Sequence, residues 1–257
     1  MDLSGQTVLV TGSNRGIGRA IVEELAERDV HILAGMRDPS EFAPVSGRGA
    51  RETRPVRMDL SSHEEIDACL GELGQTRIDV LVNNAGHFTG GVLESQEVAE
   101  LYETIQVNLA GVVHLTRALL PGMLARDHGK IVNNASIAAY AHFPGAAVYS
   151  ATKAAVAGFS EALRRELDES DVTVLQLVTP GVETDMLAEV REAYEPHMND
   201  TSKLDGIEPE QWARKIVAAI ENDDDLLNPT GAERLAKLAS RGPAGVLDAV
   251  LARAFDR

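Results

Sequence analysis

The sequence is short of cysteine, lysine and aromatic residues, and each scarcity excludes something. A single cysteine, Cys69, rules out an intramolecular disulfide and a pair of CxxC zinc knuckles. Aromatic residues make up only 4% of the chain, so Val, Leu, Ile and Ala must fill the core. Only five of the 24 basic residues are lysine. An acid-rich surface poor in lysine fits a salt-adapted host, and high genomic GC content would give the same arginine bias. Long apolar runs are also missing. The best candidate, 109–124, falls short of the ~18 residues of a bilayer span and is interrupted by His114, Arg117 and Pro121. The start, MDLSGQTVLV, has no basic stretch followed by a long apolar core, so no signal peptide is expected. The reading is therefore a cytoplasmic protein with no membrane partner.

What is present is ordinary for a globular domain: 257 residues, 44% hydrophobic and 25% charged. The net charge of −16 excludes a nucleic-acid partner, whose phosphates would be repelled. The charge is unevenly spread. Residues 1–60 hold eight Arg against nine acids, whereas 161–225 hold six basic residues against eighteen acids. An anionic ligand is better hosted by the first sixty residues.

Hydrophobic periodicity alternates strand and helix from the start. Strands are expected at 7–11, 30–34, 56–58, 80–82, 130–133 and 172–178, with a short last one at 226–227. Helices are expected at 17–28, from the Ser62–Glu65 capping box to about 73, at 95–109, 112–125, 149–170, 186–194 and 208–222. Residues 40–53 read as a polar loop. Repeated βα units with apolar strands imply a parallel sheet covered on both faces, and no linker divides the chain. The polar stretch 182–207 is long for a connection and reads as either a lid over a site or a disordered segment. An amphipathic helix is expected at 243–255.

Thr11–Gly18 reads TGSNRGIG between a strand and a helix, the context in which a glycine-rich motif binds a dinucleotide. Gly12 permits the sharp exit from the strand. Gly16 and Gly18 let backbone approach a pyrophosphate, and Ser13, Asn14, Arg15 and Ile17 complete the loop. The helix N-terminus adds free N–H groups and partial positive charge. Roughly 20 residues further on, a carboxylate would hold the ribose hydroxyls of NAD. Here Met36 stands in that place, Arg37 follows, and Asp38 is expected to turn away. Arg37 and Arg15 together suit a 2′-phosphate, because guanidinium forks onto phosphate oxygens. NADP(H) is therefore preferred, with NAD(H) as the alternative.

These residues, with Asn83-Asn84-Ala85-Gly86, Asn108, Ser136 and Tyr149-x-x-x-Lys153, resemble the short-chain dehydrogenase/reductase family, in its shorter subgroup, over roughly residues 5–230. The resemblance implies an α/β fold, a Rossmann-type doubly wound parallel sheet of about seven strands in one domain. It implies that Tyr149 is the general acid and base, that Lys153 lowers the phenol pKa and holds the nicotinamide ribose, that Ser136 holds the substrate oxygen, and that Asn108 supports a proton relay. It further implies that Asp59 and Leu60 flank adenine, that Asn84, Ala85 and Gly86 lie by the cofactor ribose, and that Pro180, Gly181, Val182 and Thr184 contact nicotinamide. Thr184 is four residues after Pro180 where the family often has threonine at five, so its contact stays open. Asp59 alone would read as a turn cap.

The function expected is reversible reduction of a ketone or aldehyde to an alcohol. The pocket walls are 86–93, 137–144 and 182–205, with Ala138, Ala139, Phe143, Met186 and Leu187 making them apolar. Reduction of a 3-oxoacyl group on a carrier protein is the alternative enzyme, disfavoured by the acidic lid. A non-catalytic NADP(H)-sensing protein is the alternative of another class, although such proteins usually lack the Tyr or the Lys. The resemblance also implies a homodimer or homotetramer through helices 112–125 and 149–170. No spacing of histidine and carboxylates reads as a metal site.

Overall fold

A computed structural model describes residues 1–45, 47, 49–198, 200–201 and 204–229. The helix expected at 243–255 lies outside the described residues. Seven strands, β1 (Thr7–Thr11), β2 (His31–Met36), β3 (Glu52–Arg57), β4 (Val80–Asn83), β5 (Gly129–Asn134), β6 (Val172–Leu177) and β7 (Leu226–Leu227), form one sheet. Its order is β3-β2-β1-β4-β5-β6-β7 and every pairing is parallel. The helices are α1 (Gly16–Leu25), α2 (His63–Leu73), α3 (Val98–Ile105), α4 (Gly111–Ala125), α5 (Ala147–Glu166), α6 (Asp185–Tyr194) and α7 (Pro209–Glu221).

Alternation along the strands splits the core into two layers. Val8, Val10, Ile32, Ala34, Val80 and Val82 face Ile21 and Leu25 of α1 and Trp212, Ile216 and Ile220 of α7. Leu9, Leu33, Leu81, Ile131 and Val174 face Ile66 of α2, Leu115 and Met123 of α4 and Leu163 of α5. Both sheet faces are covered, as the apolar strands require. The chain runs from β1 outward to β3 and then returns to β4 on the other side of β1. This strand-order reversal opens a crevice at the carboxyl ends of β1 and β4, where ligands settle in such sheets.

Three elements differ from the sequence reading. Strand β3 is twice the length expected, because it is an edge strand whose Glu52 and Arg54 alternate with inward residues and whose Pro55 costs no central ladder bond. Helices α3 and α4 are not separate: a π turn, Gln106–Ala110, joins them into one 28-residue helix, Val98–Ala125. His114, Arg117 and Pro121 do not interrupt it. Its most apolar 18 residues reach a mean hydropathy of 1.3, so by length and composition it could cross a membrane. Here Val112, Leu115, Thr116 and Met123 are buried in the protein. Ser62 caps α2 as expected, accepting from Glu65 N at 3.2 Å, but the Glu65 carboxylate pairs with Arg57 instead of completing the box.

Candidate active site

A cavity of about 1020 Å³ occupies the crevice. One end is built by the turn from β1 into α1. Gly12 has φ +65°, and a Cβ there would lie 2.8 Å from Ala85 Cα; a Cβ on Gly18 would lie 2.0 Å from the Gly12 carbonyl oxygen. Only glycine lets these backbones meet. Helix α1 then opens with no side-chain cap and no acid in its first turn. Its free N–H groups and positive dipole end face the cavity at Gly16, Ile17 and Gly18. Ser13 does not line the cavity. It is fully buried, and its N–H and Oγ both donate to Gly35 O, tying the loop to β2.

The same end carries the two arginines. Arg37 is exposed, with Nη1 4.0 Å from Glu103. Arg15 reaches across the mouth to Asp185 at 2.9 Å, and both partners are largely exposed, so this pair is weak. Met36 is buried beside the cavity, and Asp38 turns to Ser40, accepting from its N and Oγ. Asp38 nevertheless lines the cavity, as does Glu41, so carboxylates stand just past the end of β2 although none occupies position 36. Asp59 and Leu60 line the wall, and Asp59 also caps its own turn by accepting from Ser61 N at 2.9 Å.

The opposite end is apolar and holds the titratable groups. The first turn of α5 places Tyr149 and Lys153 on one face, with the ammonium 5.6 Å from the phenol ring centroid. Lys153 Nζ donates to Asn134 O at 2.8 Å. Burial pulls its pKa down to about 8. Burial likewise pushes Tyr149 up to about 12, opposed by the hydrogen bond with Ser136. Desolvation of the phenolate is the main cause of this shift, so the phenol holds its proton at neutral pH. Ser136 caps the short turn after β5, accepting from Ala138 N at 3.1 Å, and lines the cavity.

Asn108 lies in the π turn, fully buried and outside the cavity wall. Its amide clamps His87 by accepting from N and donating to O, each at 2.8 Å, and also donates to Thr152 Oγ1 at 3.2 Å. π turns recur at functional positions because they re-aim a side chain. Asn84, Ala85 and Gly86 form the floor, and Pro180, Gly181, Val182 and Thr184 form the far wall. Thr184 Oγ1 accepts from Leu187 N and caps α6, and its methyl carbon lies 3.1 Å from where a Gly16 Cβ would be.

Of the expected apolar residues, Ala138, Phe143, Met186 and Leu187 line the cavity. Ala139 does not; it packs against Val112, Ala135 and Val156. Phe88, Val190, Tyr194, Met198 and Leu204 complete the apolar chamber; all fall within the expected wall segments 86–93 and 182–205, although none was singled out there. The spacing Met186, Val190, Tyr194 along one helical face was the available signal. The lid is fastened: Arg191 forks onto Glu183, Glu183 accepts from Gly206 N, and Val182 bridges Ile207. His87, Glu100 and Glu103 bring ligand atoms within 4.8 Å of one another, a grouping no spacing revealed; His87 is bonded to Glu100 at 2.8 Å.

Residues 6–195 match the family model for short chain dehydrogenases. The chain is 36% identical over 195 residues to a 3-oxoacyl-[acyl-carrier-protein] reductase of Escherichia coli strain K12, covering 72% of this chain and 77% of the relative. It superposes on a short-chain dehydrogenase of Burkholderia cenocepacia in complex with NADP with a TM-score of 0.82 at 26% identity, over 98% and 99% of the two chains. A putative NAD(P)-dependent gluconate 5-dehydrogenase of Beutenbergia cavernae with bound NADP gives a TM-score of 0.75 at 30% identity, over 88% and 94%. With its doubly wound sheet, this chain belongs to the short-chain dehydrogenase/reductase family of NAD(P)-dependent oxidoreductases.

Proposed function

We propose that this protein is an NADP(H)-dependent reductase of an uncharged ketone or aldehyde, reversible toward the alcohol. The observation that carries the reading is one continuous cavity, with an uncapped helix N-terminus at one end and Tyr149, Lys153 and Ser136 at the other. That layout fits a dinucleotide. Gly12, Asn14, Arg15, Gly16, Ile17 and Gly18 would hold its pyrophosphate. Arg37 and Arg15 would take a 2′-phosphate, and the apolar Met36 leaves that position without a carboxylate, while Asp38 and Glu41 stand nearby. Asp59 and Leu60 would flank adenine, Asn84, Ala85, Gly86 and Lys153 the ribose, and Pro180, Gly181, Val182 and Thr184 the nicotinamide. When bound, the dinucleotide supplies or accepts a hydride.

The chain's own residues handle the proton. The Tyr149 phenol, neutral because buried, donates to the carbonyl oxygen in reduction and takes the proton back in oxidation. The Ser136 hydroxyl supports the oxygen as charge develops on it. Lys153 supplies positive charge beside the phenol, and Asn108 fixes the backbone around His87 and Thr152. The apolar chamber excludes water and favours a neutral substrate. The acid-rich lid argues against an acidic carrier protein, although the relatives named as carrier-protein reductases favour that second reading. Turnover of NADPH with a panel of free ketones and with a 3-oxoacyl carrier protein separates the two. Faster turnover of free ketones supports the proposal, and a preference for the carrier-bound thioester overturns it.

The proposal includes a homodimer or homotetramer. Val98, Tyr102 and Ile105 of α3 and Val113 and Leu124 of α4 are exposed along one long apolar helix, a surface a second copy would cover. It also includes a cytoplasmic location with no membrane or nucleic-acid partner, supported by the strongly acidic balance and a lone buried Cys69.

A further inference from the structure

Beneath the cavity a single line of hydrogen bonds crosses the carboxyl ends of four adjacent strands. Trp212 Nε1, on α7, donates to Thr179 Oγ1 at 3.1 Å. Thr179 Oγ1, just past β6, donates to Asn134 Oδ1. Asn134 Nδ2, at the end of β5, donates to Asn84 Oδ1 at 3.0 Å. Asn84 Nδ2, just past β4, donates to Thr11 O at 3.0 Å and Gly12 O at 3.4 Å, at the end of β1. Every donor points the same way, from Trp212 to the glycine turn. The order matches the order of the strands, β6-β5-β4-β1.

The middle link is where the two ends of the cavity meet. The Asn134 backbone carbonyl is the acceptor of Lys153 Nζ at 2.8 Å. The backbone of Thr179 accepts from Ile137 N at 2.9 Å and so holds the turn that presents Ser136. The Asn134 side chain, facing the other way along the line, fixes Asn84 and through it the glycine turn. Trp212, Thr179 and Asn134 are all buried, so each broken link strands a polar atom away from water. Links in such a line polarise one another, so their effects are coupled.

We propose that Asn134 is a positioning residue that holds the glycine turn, the Lys153 ammonium and the Ser136 turn in one frame through this line, so that a change at Trp212 is felt by the bound dinucleotide. The inference rests on the dinucleotide reading above. Thr179, Asn134 and Asn84 line the cavity, whereas Trp212 does not, so Trp212 alone has no direct route to the ligand.

The test is a double-mutant cycle with Trp212→Phe, which removes the far donor together with some buried ring volume, and Thr179→Val, which breaks the next link at nearly constant shape. The dissociation constant of NADP+ is measured by titration calorimetry on the full chain, and thermal midpoints are measured without ligand. Trp212→Phe and Thr179→Val each weaken NADP+ binding about threefold, and the double variant is no weaker than the worse single one. The thermal midpoints show the same non-additivity. Losses that multiply, or Trp212→Phe binding NADP+ as the wild type does, overturn the proposal. Asn134→Leu adds an independent check. In that background Trp212→Phe weakens NADP+ binding no further, and a full effect on binding there overturns the proposal. A wild-type chain that binds no NADP+ refutes the cofactor reading, and the thermal cycle in the free protein then decides on the line itself.

Discussion

At the scale of single residues the chemistry is set by desolvation. Tyr149 keeps its proton far above neutral pH, which suits a donor. Tyr149→Phe removes that donor without changing the shape of the chamber. The rate should fall by ~10² to 10⁴ while NADPH binds as before, measured by initial rates and by calorimetry. Lys153 sits near pH 8 because its ammonium is buried. Its folded pKa lies below the ordinary 10.5, so the unfolded chain binds the proton more tightly between those values and stability rises with pH there. Relative to Lys153→Met, the wild-type chain should therefore gain thermal stability from pH 8 toward pH 10.5. Melting curves across that range check it; a constant gap would mean the ammonium is not desolvated. Arg37→Ala should weaken NADPH at least tenfold and NADH hardly at all, since only the former carries a 2′-phosphate. Equal losses would remove the phosphate assignment.

At the scale of elements, glycine and the lid decide the outcome. Gly18→Ala would drive a methyl into the Gly12 carbonyl, so it should abolish dinucleotide binding even where the chain still folds. The lid is held by the Glu183–Arg191 fork. Both partners are partly exposed, so the pair contributes little to global stability. Glu183→Gln should leave the melting point within a few degrees while raising KM for the carbonyl substrate, because a looser lid orders the chamber less often. An unchanged KM would mean the lid does not shape that wall. Much of this was legible in sequence, because strand and helix periods differ and because a glycine loop between them has one geometric reading. The Tyr149–Lys153 pair was legible from its four-residue spacing. What escaped did so for physical reasons. Edge strand β3 carries polar residues that no apolar pattern marks. The π turn at Asn108 adds a residue without breaking the helix, so two helices read where one exists. The pKa of Tyr149 depends on burial, which sequence spacing does not report. Segments 86–93 and 182–205 were legible as walls, but the meeting of Phe88, Tyr194 and Leu204 was not, because it comes about only once the lid folds back over the sheet.

At the scale of the whole molecule, the strand reversal between β1 and β4 places the glycine turn of one half opposite the Tyr149–Lys153 face of the other. The long helix Val98–Ala125 leaves Val98, Tyr102, Ile105, Val113 and Leu124 exposed, the surface that the proposed second copy would cover. Tyr102→Glu should lower the molecular mass in solution by at least half, seen by light scattering, and a monomeric wild type would contradict that account. The central claim is that Tyr149 delivers the proton to a carbonyl at the apolar end of a cavity that also holds NADPH. The most direct measurement is the loss of NADPH absorbance with uncharged ketones, wild type beside Tyr149→Phe. The account predicts steady consumption by the wild type and almost none by the variant. Tight NADPH binding without turnover of any carbonyl, or a variant as fast as the wild type, would contradict it.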